Sequence, residues 1–213
     1  MRVKICGIAN GEQGRAIAQL GATALGLICV PRSPRYVPPQ HLARLVEQFP
    51  PQVDRIGVFA DSALSEISTL TAQNILTGVQ LHGKESPEYC DRLRQMCPGI
   101  EIIKALRVRT LDSLAAEVEA YEGSADTYLL DAYHPQQLGG TGKTLDWNAI
   151  ASFDFPLPWF LAGGLAPDNI TDALAIVQPD GIDLSSGVER SPGDKDIQKV
   201  ALLFERLLNC NNR

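Results

Sequence analysis

The sequence has no apolar run approaching the roughly 18 residues that a membrane span needs, so a helical membrane protein is not expected. It has no basic run either, and a net charge of −6 argues against a nucleic-acid surface. It lacks a metal pattern. The five cysteines, Cys6, Cys29, Cys90, Cys97 and Cys210, are odd in number and match no zinc spacing, and the three histidines, His41, His82 and His134, are scattered. No metal and no cofactor are expected. A chain of 213 residues is too large to need disulfide staples, which points to a reducing compartment and a cytoplasmic location. The segment Met1-Arg2-Val3-Lys4-Ile5-Cys6-Gly7 is too poor in apolar residues for a signal peptide and reads as a strand. No linker, low-complexity tract or composition shift divides the chain, so residues 1–213 are expected to form a single domain. What is present is ordinary for a globular core: 45% hydrophobic and 21% charged residues. An acidic chain can still bind phosphate locally through backbone amides.

Two glycine-rich strand ends in the last third carry the strongest signal. Trp159-Phe160-Leu161-Ala162-Gly163-Gly164-Leu165 and Gly181-Ile182-Asp183-Leu184-Ser185-Ser186-Gly187-Val188 each run from an apolar strand into small residues, with a helix expected after each. Small residues let backbone N–H groups approach an anion, and a helix start favours its negative charge. Either segment alone also fits an ordinary turn. Two in succession read as a phosphate cradle, in the place it takes in many (β/α)8 barrels.

Strand-like runs alternate with helical spacing throughout. Strands are expected at Val3–Cys6, Ala24–Cys29, Arg55–Phe59, Thr77–Leu81, Glu101–Leu106, Thr127–Asp131, Trp159–Ala162 and Gly181–Leu184. Helices are expected to begin near Asn10, Pro39, Ser62, Ser86, Thr110, Asp146, Pro167 and Lys195. Eight strands in strict alternation with eight helices, joined by right-handed crossovers, favour a closed (β/α)8 TIM barrel over an open sheet. The longest irregular stretches, 31–39 and 132–144, both follow strands and so belong to the functional face.

On that face the polar residues at strand ends come first: Cys6, Asp61, His82, Arg107, Asp131 and Asp183, with Arg35 in the loop after the second strand. Because the eighth strand pairs with the first, a phosphate held after strands seven and eight lies between Asp131 and Cys6. That arrangement suits an acid and a base acting on a small phosphorylated substrate. Cys6 reads either as a buried small hydrophobe or as a base or nucleophile whose pKa neighbours lower, and its position before Gly7 favours the second. Asp131 follows the apolar Tyr128-Leu129-Leu130. Desolvation there would keep it protonated as an acid; capping a loop is the other reading. Arg35 offers a bidentate grip on a carboxylate, or is a solvated loop arginine. Asp61 reads as a helix cap. Gly139-Gly140-Thr141-Gly142-Lys143 is a third amide-rich segment, but it lacks the P-loop spacing and so argues against nucleotide hydrolysis.

The segments Val3-Lys4-Ile5-Cys6-Gly7-Ile8, Ser33-Pro34-Arg35-Tyr36-Val37, Gly78-Val79-Gln80-Leu81-His82-Gly83 and Leu130-Asp131 match those of one family in order. So do Gly139-Gly140-Thr141-Gly142-Lys143-Thr144, Leu161-Ala162-Gly163-Gly164-Leu165 and Asp183-Leu184-Ser185-Ser186-Gly187-Val188-Glu189. With them the chain resembles the phosphoribosylanthranilate isomerases of tryptophan biosynthesis. The resemblance implies a cofactor-free Amadori rearrangement of an aminoaldose phosphate to an aminoketose phosphate. It casts Asp131 as the general acid, Cys6 as the general base, and Arg35 as the residue that binds the anthranilate carboxylate. His82 and Asp183 fall near the substrate. Gly142, Gly163, Gly164, Ser185, Ser186 and Gly187 fall in the phosphate site.

The chain departs from the family at Ala9-Asn10-Gly11-Glu12, where a threonine and an acidic first turn are usual, and at Leu27 and Cys29, where aromatic residues are common. Gly14 within the first helix is expected to weaken it by up to about 1 kcal/mol relative to alanine. Two other readings stand beside this one. Another phosphate-binding barrel enzyme, of the sugar-phosphate epimerase or thiamine-phosphate synthase type, is the first; an epimerase would need metal ligands or paired acids that the strand ends do not offer. A non-catalytic sugar-phosphate sensor is the second, and it would not need both Cys6 and Asp131. The related histidine-pathway aminoaldose carries two phosphates, and only one cradle is evident. The expected partner is therefore a small phosphorylated molecule, not nucleic acid or membrane, with monomer and homodimer both open.

Overall fold

Eight parallel strands make the frame of the computed structural model, which describes residues 1–108, 110–132 and 146–210. They are β1 (Arg2–Cys6), β2 (Ala24–Ile28), β3 (Asp54–Phe59), β4 (Gly78–Leu81), β5 (Glu101–Val108), β6 (Thr127–Ala132), β7 (Trp159–Leu161) and β8 (Gly181–Leu184). Each pairs with the next, and β8 returns to β1 to close the barrel. The connections carry α1 (Gly11–Gln19), α2 (Pro39–Val46), α3 (Leu64–Ala72), α4 (Pro87–Met96), α5 (Leu111–Tyr121), α6 (Trp147–Ile150) and α7 (Ile170–Ile176). After β8 come a short 3₁₀ turn (Ser186–Val188), the hairpin strands β9 (Glu189–Ser191) and β10 (Asp194–Lys195), and α8 (Ile197–Cys210). Among the described residues, no helix is long and apolar enough to cross a membrane.

The (β/α)8 barrel expected from the alternation is the observed fold, and local chemistry explains its helix starts. Asn10, Ser86 and Thr110 each accept the backbone N–H three residues on, closing an orphan donor of the first turn. Two helix starts differ from expectation. α7 begins at Ile170 rather than near Pro167, because Asn169 uses its side chain to hold the preceding loop instead of capping. The helix expected near Lys195 begins at Ile197, because Pro192-Gly193 makes a tight turn with Gly193 at φ +84° and folds Lys195 back into β10. The helix expected directly after Ser185-Ser186-Gly187 is therefore a single 3₁₀ turn followed by a hairpin.

The period-two alternation of the strands separates two cores. Val3 and Ile5 of β1 face outward into the large apolar layer beneath the helices. The barrel interior is filled by Ala24, Ile56, Ile103, Ala105, Leu129, Phe160 and Ala162. Arg2, Lys4 and Cys6 alternate with the outward pair and point inward. Arg2 stacks over Phe160 at 5.1 Å and closes the amino-terminal end by pairing with Glu101 at 2.6 Å and Asp54 at 2.8 Å. Gly14 has a packing role beside its low helix propensity. A Cβ there would lie 2.3 Å from Phe49 Cε1, so the glycine that lowers helix propensity is what lets α1 seat against Phe49.

Candidate active site

A cavity of about 660 Å³ opens at the carboxyl ends of the strands. Cys6, Arg35, His82, Asp131, Gly163, Gly164, Asp183, Ser185 and Ser186 all line it, so the structure gathers nearly every residue singled out in the sequence. Gly187 lies behind the wall. A Cβ on it would sit 2.0 Å from the Leu165 carbonyl, so this glycine lets the loops after β7 and β8 touch. Gly142 and the rest of the 139–143 segment lie outside the described residues, as does His134. Asp61 is not at the cavity. Its carboxylate accepts Lys84 N–H at 2.7 Å and its own N–H donates to Glu85 at 2.8 Å, which ties the β3 loop to the β4 loop rather than capping a helix.

The β1 side is built on buried charge. Cys6 pairs in register with Gly26 of β2, where a Cβ would come within 2.7 Å of the sulfur. One inward step below, Lys4 is fully buried with its ammonium 2.9 Å from Asp183 Oδ1, so Asp183 is held by the barrel before any ligand arrives. Burial pushes the Cys6 thiol above its ordinary pKa; Lys4, which also hydrogen-bonds it, and Lys195 pull it back, while Asp183 adds to the rise. The net result is a thiol held up, with two ammonium groups placed to stabilise a thiolate. Gly7 follows at φ +83°, and a Cβ there would lie 2.6 Å from Arg35 Cδ. The glycine thus supplies both the turn and the path along which Arg35 crosses the mouth.

Arg35 is not the solvated arginine of the alternative reading. Its guanidinium grips Glu189, with Nη2 at 2.7 Å from Oε2 and Nε at 3.0 Å from Oε1. On the opposite side, Asp131 is 6% exposed and its Oδ2 lies 3.3 Å from His82 Nε2. Gln80 Nε2 stands 2.9 Å from the other ring nitrogen. With the amide as donor, His82 Nδ1 accepts, and the proton of the neutral ring sits on Nε2, facing Asp131. Arg107 on β5, in register with Asp131, donates to the His82 carbonyl at 2.5 Å. His82 Nε2 and Gln80 Oε1 are buried without an aligned hydrogen bond among the described residues, a cost native cores seldom carry and functional sites do.

Between these two sides lie the glycine loops. Gly163 and Gly164 adopt φ +81° and +67°, and neither N–H makes a hydrogen bond among the described residues. Asn169 braces the loop from both ends, accepting Ala166 N–H at 2.8 Å and donating to Gly164 O at 2.9 Å. Ser185 Oγ donates to the Cys6 carbonyl at 3.0 Å. Among the described residues, no group of three or more histidine, cysteine, aspartate or glutamate side chains is placed to hold a metal ion. Four residues of this site have no role assigned from the sequence: Lys4, Gln80, Glu189 and Lys195. Lys4 and Gln80 had a usable signal, a polar side chain on the inward phase of an otherwise apolar strand.

A closed (β/α)8 barrel with ionisable groups facing one another across a glycine-lined cavity at its carboxyl face defines an enzyme of the barrel class. The comparisons with known proteins make this specific. The family described as N-(5'-phosphoribosyl)anthranilate (PRA) isomerase matches residues 3–206. The N-(5'-phosphoribosyl)anthranilate isomerase of Rippkaea orientalis is 60% identical over 213 residues, covering 100% of this chain and 99% of that one. The crystal structure of phosphoribosyl anthranilate isomerase from Thermotoga maritima superposes with a TM-score of 0.88 at 34% identity, covering 98% of this chain and 99% of that one. A further solved isomerase, in complex with reduced 1-(o-carboxyphenylamino)-1-deoxyribulose 5-phosphate, superposes with a TM-score of 0.85 at 32% identity, over 98% of this chain and 99% of that one. The chain belongs to the phosphoribosylanthranilate isomerase family, as its motifs suggested.

Proposed function

We propose that this enzyme isomerises N-(5-phosphoribosyl)anthranilate to 1-(2-carboxyphenylamino)-1-deoxyribulose 5-phosphate in tryptophan biosynthesis, with Asp131 as acid and Cys6 as base. The observation that supports these roles is the ring order. Asp131 on β6 and Cys6 on β1 flank the β7 and β8 loops across one cavity, so a substrate anchored by phosphate on those loops places its ribose between them. Phosphate binds at the amides of Gly163 and Gly164 and at Ser185 and Ser186, with Gly187 keeping the loops together and Gly142 assigned to the same site by family motif.

Asp131 gives a proton to the ribose ring oxygen as the C1–O bond breaks, and the anilino nitrogen lone pair forms the C1 iminium. The Cys6 thiolate then takes the C2 proton, whose bonding electrons make the C1=C2 enolamine and neutralise the iminium. Tautomerisation moves the C2 hydroxyl proton to C1 and leaves the C2 ketone. Substrate and product have the same composition, because Asp131 supplies one proton and Cys6 takes one; passage of that proton through solvent from Cys6 to Asp131 resets the pair, and no external oxidant or reductant enters. His82 orients the Asp131 carboxyl, Lys4 and Asp183 support Cys6 from below, and Arg35 receives the anthranilate carboxylate. The whole chain acts as one domain, in the cytoplasm.

The decisive experiment follows loss of phosphoribosylanthranilate fluorescence with wild type, Cys6→Ala and Asp131→Asn. Turnover by wild type is expected, with each substitution lowering kcat by about 10²–10⁴-fold while binding survives. Full activity in Cys6→Ala would remove the base assignment, and an inert wild type would remove the function.

A further inference from the structure

Glu189 opens β9, directly after the phosphate loop, and its side chain is 4% exposed. Three groups converge on it. Arg35 donates through Nε at 3.0 and 3.2 Å and through Nη2 at 2.7 Å, Lys195 Nζ donates at 2.7 Å, and Gly193 N–H at 3.1 Å. Burial works against the charged carboxylate, but Arg35 and Lys195 outweigh it and hold its pKa below the ordinary value. Lys195 is itself fully buried and donates onward to the carbonyls of Cys6 at 2.5 Å and Ser185 at 3.3 Å. A buried ion cluster is weak evidence of a stability role, because apolar replacements are often as stable. Two features make this one look like a device for the site. Its glutamate engages the Nε–Nη2 edge of a planar guanidinium, which fixes the plane. And Nη1 makes no hydrogen bond among the described residues, on a side chain that lines the cavity.

We propose that Glu189 is the positioning residue for recognition of the substrate's carboxylate: it locks the guanidinium plane of Arg35 so that its remaining edge meets an incoming arylcarboxylate. Lys195, which bonds Glu189 Oε1, also donates to the carbonyls of Cys6 and Ser185, an arm that an amide oxygen at Oε1 can keep. The proposal rests on the reading of Arg35 as the carboxylate binder.

Glu189→Gln is the informative variant. It keeps volume and can keep Oε1 facing Lys195 and Gly193, but replaces Oε2, the acceptor of Arg35 Nη2, with an amide that donates. With phosphoribosylanthranilate, KM is expected to rise about 10- to 100-fold while kcat stays within about threefold. The Kd of reduced 1-(o-carboxyphenylamino)-1-deoxyribulose 5-phosphate is expected to rise in parallel, and that of inorganic phosphate to stay unchanged. In an Arg35→Met background, Glu189→Gln should add less than about twofold. An unchanged KM, an equal rise with and without Arg35, or equal weakening of inorganic phosphate overturns the proposal. If Glu189→Gln does not fold, Glu189→Asp, which can still pair with Lys195 but draws back from Arg35, carries the same expectations; failure of both to fold shows a purely structural role and also overturns it. Wild-type turnover separates the two readings. An inert wild type removes the isomerase function, whereas an active wild type beside a Glu189→Gln variant of normal KM removes only the role of Glu189.

Discussion

Replacing Lys4 by methionine removes a positive charge from the middle of the barrel at nearly constant volume, and its consequences can be worked from the structure. Lys4 is 0% exposed, and its partner Asp183, 2.9 Å away, is 9% exposed. Removing one partner of a buried pair costs about 3–5 kcal/mol, because the other charge stays behind in a low-dielectric site. In a chain of this size each kcal/mol lowers Tm by about 2–4 °C, so a fall of about 6–20 °C is expected, leaving the protein folded at 25 °C. The pH dependence follows from the direction of the Lys4 shift. Burial works against its charge, but Asp183 and Cys6 more than offset this and raise its pKa above the ordinary 10.5. Its contribution is therefore fully present below pH 10.5 and is lost as pH climbs through the higher folded value. The gap between wild type and Lys4→Met should be constant around neutral pH and close in strong alkali. The site feels the same loss. Unit charges 4 Å apart interact by about 4 kcal/mol at an effective dielectric of 20, so removing the ammonium pushes the Cys6 thiol further up. Lys195 still compensates in part, and kcat/KM near pH 7.5 is expected to fall by about 10- to 10³-fold. Thermal unfolding followed by circular dichroism, with kcat/KM against pH, tests both. A Tm shift below about 3 °C, or unchanged kcat/KM at neutral pH, would refute the reasoning.

A thiol held above its ordinary pKa implies that Cys6, followed by the thiolate's ultraviolet absorbance in wild type minus Cys6→Ala, titrates above the ordinary 9.0. A thiolate signal already complete at neutral pH would refute this. Gly14→Ala should destabilise by about 1–3 kcal/mol in urea unfolding despite the better helix propensity of alanine, because its Cβ would meet Phe49 at 2.3 Å. A stabilised Gly14→Ala would show that Phe49 moves aside at little cost.

Much of the fold was legible because the cues were local. The strand runs needed only neighbouring residues, and so did Asn10, Ser86 and Thr110, whose caps sit where helices were expected. The Pro192-Gly193 turn is an equally local cue, and it outweighs the helical spacing from Lys195 onward by placing Lys195 in β10. Gly14 shows the limit of propensity. Its neighbours in sequence mark it as a weakness, while Phe49, 35 positions away, makes it a requirement.

By itself the sequence determined the alternation, and through it the barrel and the strand ends bearing Cys6, His82, Asp131 and Asp183, because period and propensity act within a few residues. Only the tertiary structure decided how the charges pair. Lys4 meets Asp183 across 179 positions, and Arg35 meets Glu189 across 154. The first pair depends on closure of β8 onto β1, and the second on a hairpin that turns Glu189 and Lys195 inward. A buried charge is tolerated only where a partner arrives from elsewhere in the chain, and a linear pattern does not say which partner that is.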